Sequence, residues 1–497
     1  MRKKTYIAAY SAIAALVLGA TGFQVYSANS NVSEKETVLE SETYNSDLVQ
    51  TIDGTDVDML APEFWIRDRG SEVLFSQEEI EDYNNNNPSY VEYYSEEDSR
   101  NYKLFMYDLP DSIPGDVVRA LMDGDIEEKA DVDIPETVVP QYAICIERSV
   151  AKTLPSDEFV SDDPDEIFFN DLISAEVMPF TGVVVLGESG DGEWDFVLDG
   201  SYLGWVKKET LAMCTDKDQW LRICQPEEFL VVAGSEIVMD ETAVPTYSAG
   251  MILPMGTRVK LSNSNLDDAG KGSIKNSASE EDSLSEYDIS HDDSKMASSS
   301  GKTINGRSSI GAYIVDIPYR GEDGYVQMEQ TLIPVSKDVH VGFMTMTSES
   351  VIRQAFKFLG RVYGYGGSLS SNDCSGFIRQ VYSCYGFELP RNATAIAQRS
   401  DLGCIECSVM TPNKKKSIMA EMTPGLPVYM EGHIMMYLGM EGGEPYVISS
   451  CATCIEPGHD TEDIVDAYCV FVSGLDLVRA NGNTWLEDIN YILWKEY

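Results

Sequence analysis

Apolar residues change their spacing several times along the 497-residue chain, and each change predicts a different kind of element. An apolar run from Tyr6 to Phe23 follows the cations Arg2, Lys3 and Lys4. Residues 29–58 are rich in Ser, Thr and acids, the composition of a flexible leader. Aromatic residues appear from Met59, and Pro-broken helical pieces are expected up to about residue 135. Within 136–228 the stretch "TGVVVLGESGDGEWDFVLDGSYLGWVKKETLA" predicts three short strands split by turns at "SGDG" and "LDGS". Trp194, Phe196 and Val206 are the expected core of this all-β unit. A second β-rich unit spans 229–343, interrupted by the polar segment 262–309, which has no Trp or Phe and is expected to be disordered. In the last segment, 344–497, Val351, Ala355, Phe358 and Leu359 follow the helical spacing i, i+4, i+7, i+8, with Gly360 as the stop. A second helix is expected in "NDCSGFIRQVYSCYGFELP", where Ile378, Val381, Tyr382 and Tyr385 share a face, Gly386 ends it and Pro390 lies beyond. The hairpin "GLPVYMEGHIMMYLGMEGGEPYVISS" follows, so this segment is of the α+β class.

Composition narrows the setting. The chain has 36 Lys+Arg against 83 Asp+Glu, a net charge of −47. Such a chain is a poor partner for nucleic acid or for anionic lipid, both of which need Lys and Arg. The cations, apolar run and small residues near Ala28 have the order of a secretory signal over residues 1–28. An uncleaved membrane anchor is the alternative, and no membrane contact is expected once a signal is removed. A secreted or cell-wall-associated location follows from the signal reading.

The candidate chemistry centres on Cys374. Asn372 or Asp373 is placed to cap the second helix, so the thiol sits in the first turn. Unpaired N–H groups and the helix dipole favour an anion there, which is expected to lower the thiol pKa. A thiol nucleophile needs a base. Of the four histidines, His291 lies in the polar insertion, His340 precedes the last segment and His459 is in a polar loop. His433 opens a strand after Gly432 and is the expected base.

The stretches "YGYGG", "NDCSGF", "LPRNATAIAQ", "GHIMMYLG" and "YVIS", from about Ser348 to about Ser450, resemble the NlpC/p60 cell-wall cysteine peptidases, a papain-like family. The two β-rich units resemble the bacterial SH3-like β-barrels found ahead of that domain. The region from Met59 resembles the family's small helical N-terminal segment. The resemblance implies peptidoglycan stem peptides or muropeptides as substrate, cut between γ-D-glutamate and a diamino acid by Cys374 and His433. It implies that Asp373 and Ser375 hold the stem, with Asp373 facing the amine of its first alanine. It implies that Tyr363 lies near the thiol and that Tyr365 lines the pocket. The residue that orients the imidazole falls on Ser449, where many members have His. A non-catalytic wall-binding protein and an acyltransferase or amidase on the same scaffold are the alternatives.

No cofactor is required by this chemistry. The pairs Cys404/Cys407 and Cys451/Cys454 have zinc-ligand spacing, with disulfides or reduced thiols as the other readings. With Cys374 free, nine of the 10 cysteines remain, an odd number, so at least one more is not in an internal disulfide.

Overall fold

The computed structural model describes residues 49–66, 70–86, 90–95, 100–122, 132–200, 202–262, 302–399 and 402–493. All of these belong to one unit, Ser46–Tyr497. The expected signal segment 1–28, most of the expected leader and most of the polar insertion lie outside the described residues. Among the described residues, no helix is long and apolar enough to cross a membrane.

The N-terminal region is not helical throughout. The helices Pro62–Trp65, Gln77–Asn86 and Gly115–Leu121 alternate with a hairpin of Tyr90–Ser95 and Arg100–Phe105. Its residues are shared between two cores. Trp65, Ile80 and Tyr83 join the core of the C-terminal segment, and the Trp65 indole N–H donates to the Met59 carbonyl at 2.7 Å. Leu104, Val117 and Met122 instead cover one face of the first large sheet.

That first sheet has seven antiparallel strands between Gln141 and Met213. The expected strands are Gly182–Glu188, Trp194–Asp199 and Tyr202–Lys207, joined at the expected turns. Phe196 and Trp205 are cross-strand partners with ring centroids 5.2 Å apart, a pair that fixes register as well as burying area. Both faces of these strands are buried. Trp194, Phe196 and Leu198 point to the N-terminal region, and Val197 and Val206 to a smaller core of Val, Ala and Leu.

The second sheet has five strands: Phe229–Val232, Arg258–Leu261, Ala312–Arg320, Val326–Pro334 and Val339–Val341. The C-terminal end of the polar insertion is structured, as a hairpin of Thr303–Ile304 and Arg307–Ser308. Among the described residues, no pairing joins the end strands of either sheet. Both units are therefore open sheets here, not the closed barrels that their sequences suggest.

The C-terminal segment packs two helices on a six-stranded antiparallel sheet. The first helix, Ser348–Phe356, starts with a capping box between Thr347 and Ser350. The second helix is Cys374–Ser383, and both bury the faces read from their periodicity, including Val351, Ala355, Ile378, Val381 and Tyr382. Pro427–Met430, His433–Glu441, Glu444–Ile455 and Ile464–Gly474 are consecutive neighbours in the sheet. Cys404–Glu406 and Ile489–Leu493 complete its other edge.

The loop before the second helix docks on the first sheet. Gly366 and Gly367 have φ of +60° and +94°, values that side-chain-bearing residues rarely adopt. A Cβ on Gly366 would lie 2.5 Å from Ile173 Cγ2, and one on Gly367 would lie 2.4 Å from Glu176 Cβ. Under the loop, Glu176, 2% exposed, pairs with Arg148 of the same sheet at 2.6 Å. Arg148 also donates to the carbonyls of Ser370 at 2.8 Å and Ser371 at 2.5 Å, and to Asn372 Oδ1 at 2.7 Å. Arg379, on the second helix, reaches the other Glu176 oxygen at 3.4 Å. Removing one partner of a buried pair leaves the other charge uncompensated. Glu176→Ala is therefore expected to destabilise the chain by about 3–5 kcal/mol, read as a lower urea midpoint. An unchanged midpoint would show that this pair does not hold the sheet to the loop.

Candidate active site

The site is built where the start of the helix Cys374–Ser383 meets the strands His433–Glu441 and Glu444–Ile455. Asp373 is the N-cap, its Oδ1 accepting the Gly376 N–H at 2.8 Å. Of the two expected caps, Asp373 takes the role, while the Asn372 side-chain amide turns to Gln380 at 3.1 Å. Cys374 is the first helical residue and stays partly exposed. The main-chain amide of Ile434, the residue after His433, is near enough to act on its thiol. Ser450 ties the adjoining strand to the same place, its hydroxyl donating to the Asn372 carbonyl at 2.7 Å.

His433 Nε2 and Ser449 Oγ are 3.3 Å apart. Ser449 is fully buried, so its hydroxyl is fixed by the strand that carries it. The edge of the imidazole also meets Trp485, with centroids 5.2 Å apart at an interplanar angle of 66°. Ser449 thus meets Nε2, and Nδ1 has no hydrogen-bond partner among the described residues.

The electrostatics give a neutral resting pair. Burial pushes the Cys374 thiol up to about 12, the Asp373 charge adds to this, and the Ile434 amide and Arg391 offset only part of it. The expectation of a lowered thiol pKa is not met, because the helix start is itself covered and an acid lies beside it. Burial lowers His433 to about 4, helped by Arg479 and opposed by Asp373. Between these values the thiol keeps its proton and the imidazole is an available base.

Asp373 is 7% exposed and Arg391 6%. Their contact is bidentate, at 3.1 Å and 2.5 Å. Asp373 Oδ2 also accepts the Gly366 N–H at 3.1 Å. Ser375 closes the network, donating to Asp373 at 3.1 Å and accepting from Arg391 at 2.8 Å. Burial would raise the Asp373 carboxyl, but Arg391 and the two amides outweigh it and hold the pKa below its ordinary value. The resemblance implies an ammonium opposite Asp373. In the structure the cation opposite it is the chain's own Arg391.

Tyr363 is 8% exposed and lies within the electrostatic reach of Asp373, Cys374 and Cys451. Burial raises its hydroxyl far above the ordinary range, so it stays a neutral donor. Beside it, Phe169 packs on Tyr363 and Tyr365, with centroids 5.7 Å and 5.0 Å away. Phe168 stacks on Tyr468 at 3.9 Å. One wall beside the thiol thus comes from a loop of the first sheet.

The other candidates separate. His459 is exposed and faces Asp53 and Asp463 at 4.0 Å and 3.8 Å, so it is not a partner of His433. His340 is exposed on the strand Val339–Val341, its Nδ1 3.1 Å from the Gly342 carbonyl, and His291 lies outside the described residues. Cys404/Cys407 and Cys451/Cys454 do not converge. Four strand steps separate their elements, about 19 Å at the usual strand spacing, far beyond a shared tetrahedral zinc. All 10 cysteines are free thiols.

Sequence reasoning missed Arg391, Trp485, Phe168, Phe169 and Tyr468. Arg391 alone left a signal: it is the one cation between Arg379 and Arg399 in a strongly acidic chain.

A model of the NlpC/P60 family matches residues 360–451. No curated protein matches the chain. Among solved structures, the chain is similar to a novel NlpC/P60 endopeptidase from Photobacterium damselae subsp. piscicida. The TM-score is 0.58 at 14% identity, over 87% of this chain and 96% of that one. An NlpC/P60 family protein from Bacillus cereus ATCC 10987 gives a TM-score of 0.44 at 14% identity, over 71% of this chain and 99% of that one. At such identities the likeness speaks for the fold alone. The matched residues 360–451 contain Cys374, His433 and Ser449, and the chain therefore carries a domain of the NlpC/P60 family, which includes cell-wall peptidases.

Proposed function

We propose that the chain is an exported cysteine endopeptidase that cuts peptidoglycan stem peptides between γ-D-glutamate and a diamino acid. The observation that carries this reading is the pairing of Cys374, at a helix start, with the strand that presents His433 and its Ser449 partner. The family match supports the substrate class, and the N-terminal sequence supports export.

In this reading the neutral thiol gives its proton to His433 Nδ1 as sulfur attacks the scissile carbonyl carbon. A carbon–sulfur bond forms and the carbonyl oxygen takes the negative charge. Tyr363 and the N–H groups at the helix start are the candidate donors to that oxygen. The carbon–nitrogen bond then breaks, and the imidazolium gives its proton to the leaving amine. Water attacks the thioester, His433 takes its proton, and the thiol is restored as the acid product leaves. Ser449 acts on the ring, not the substrate, by fixing its orientation. The Phe168–Phe169 wall supports a role for the first sheet in narrowing the cleft.

Mass spectrometry of muropeptides incubated with the protein under reducing conditions is expected to show cleavage after γ-D-glutamate. Cys374→Ala is expected to abolish it. If the unmodified protein cuts no stem peptide while still binding peptidoglycan, the site is a wall-binding module instead. An acylated acceptor in place of two fragments would mark an acyltransferase.

The pH dependence has a defined sign. His433 must be neutral to accept the thiol proton, and its folded pKa is depressed to about 4. The acidic limb of kcat/KM, which reports the free enzyme, is therefore expected near pH 4. A limb at the ordinary histidine value of about 6.5 would contradict the buried, neutral imidazole.

A further inference from the structure

Tyr468 breaks two rules of the strand that carries it. Its φ is +39°, in the left-handed region that a bulky side chain rarely adopts. It also lies in a bulge. Cys451 pairs with Cys469 and Thr453 pairs with Asp466, so the strand Ile464–Gly474 has one extra residue there. A bulge residue in the left-handed region is ordinarily glycine, which has no Cβ to meet the backbone. A tyrosine in this conformation is strained. Such strain persists only where the surrounding structure imposes it, and it gathers at functional sites.

The contacts that impose it lead to the thiol. The Tyr363 N–H donates to the Tyr468 carbonyl at 2.7 Å, and Val362 bridges to Cys469. Tyr363 also bridges to Asn372, two residues before Cys374. Phe168 lies flat on the Tyr468 ring, with centroids 3.9 Å apart at 15°. Phe169 and Tyr363 meet the same ring edge-on, at 6.2 Å and 6.4 Å. Core packing does not explain the arrangement. Phe168, Phe169 and Tyr468 belong to none of the hydrophobic cores among the described residues, and all three are only partly buried. Ile167 and Val362, their chain neighbours in this cluster, are 72% and 39% exposed. The Tyr468 hydroxyl makes no hydrogen bond among the described residues, so it does not explain the strain either.

What remains is the placement of the ring itself. A bulge beside an active site re-aims a side chain, and here it sets an aromatic face from the C-terminal segment against one from the first sheet. We propose that Tyr468 is a substrate-positioning residue: with Phe168 it forms a clasp across the two segments, and this clasp holds an extended stem peptide beside Cys374. The proposal rests on the peptidase reading of the site and adds a specificity determinant to it. The ring carries the role, as a flat apolar wall that limits where the peptide can lie.

Calorimetric titration of a stem muropeptide into the full chain carrying Cys374→Ala reads binding without turnover. Adding Tyr468→Gly, which suits the backbone and removes the ring, is expected to weaken binding by about tenfold or more. Phe168→Leu is expected to act in the same direction, and the two together to lose little more than either alone, because the clasp works as a unit. Tyr468→Phe is expected to restore most of the affinity lost in Tyr468→Gly. The urea midpoint of Tyr468→Gly is expected to hold, since relief of strain offsets the lost stack. With Cys374 present, the loss is expected in KM rather than in kcat. Unchanged affinity in Tyr468→Gly would overturn the proposal, and so would no rescue by Tyr468→Phe or no muropeptide binding up to about 10 mM. If Tyr468→Gly melts early, Tyr468→Leu reads the ring in its place, and an unchanged affinity there would equally refute the clasp. A muropeptide that binds with this pattern but is never cut by the Cys374 protein would sink the peptidase reading and leave the clasp standing.

Discussion

A carboxylate buried against an arginine holds the thiol helix in place. Asp373 accepts the N–H of Gly376, which caps the helix, and the N–H of Gly366, which pins the preceding loop. Its charge is matched by Arg391 through two hydrogen bonds. Each contact alone is ordinary. Together they fix the backbone on both sides of Cys374 and set the field that the sulfur feels. The arrangement has a cost, since a buried acid beside the thiol disfavours the thiolate. The helix start therefore holds a protonated thiol rather than an ionised one.

The same loop depends on the first sheet. Arg148 grips the carbonyls of Ser370 and Ser371 while paired with Glu176, and Gly366 and Gly367 let the chains approach. Phe168 and Phe169 come from that sheet as well. The candidate site is thus shared: Cys374 and His433, the proposed nucleophile and base, come from the C-terminal segment, and one wall and the loop's anchor come from the segment before it. This arrangement makes the first sheet a structural part of the site and not only a neighbour.

Local features of the site were legible in the chain. The helix around Cys374 shows its apolar face, its cap and its glycine stop within a few residues, and His433 follows a turn glycine into an apolar strand. Ser449 was reached only through the family resemblance; in the structure its Oγ lies 3.3 Å from His433 Nε2. Long-range features were not legible. Arg391 reaches Asp373 across 18 residues, and Glu176 reaches Arg379 across 203. No periodicity encodes such pairs. The helix dipole at Cys374 is a local property, whereas the burial that raises its thiol is set by the packed whole. The two β-rich units reveal their strands by alternation, but strand order comes from pairings far apart in sequence, and the sheets stay open. The spacing of the two Cys pairs likewise says nothing of where the sheet puts them: the strands of Cys404 and of Cys451/Cys454 are not neighbours.

The central claim is that Cys374 forms a covalent bond to the acyl half of a stem peptide. Acid quenching of the protein during the first turnover of a muropeptide, followed by proteolysis and mass spectrometry, tests it directly. The account predicts a thioester adduct with the mass of the γ-glutamyl half, on the peptide that contains Cys374. Product formation with no adduct on Cys374, or with the adduct on another of the free thiols, would contradict it.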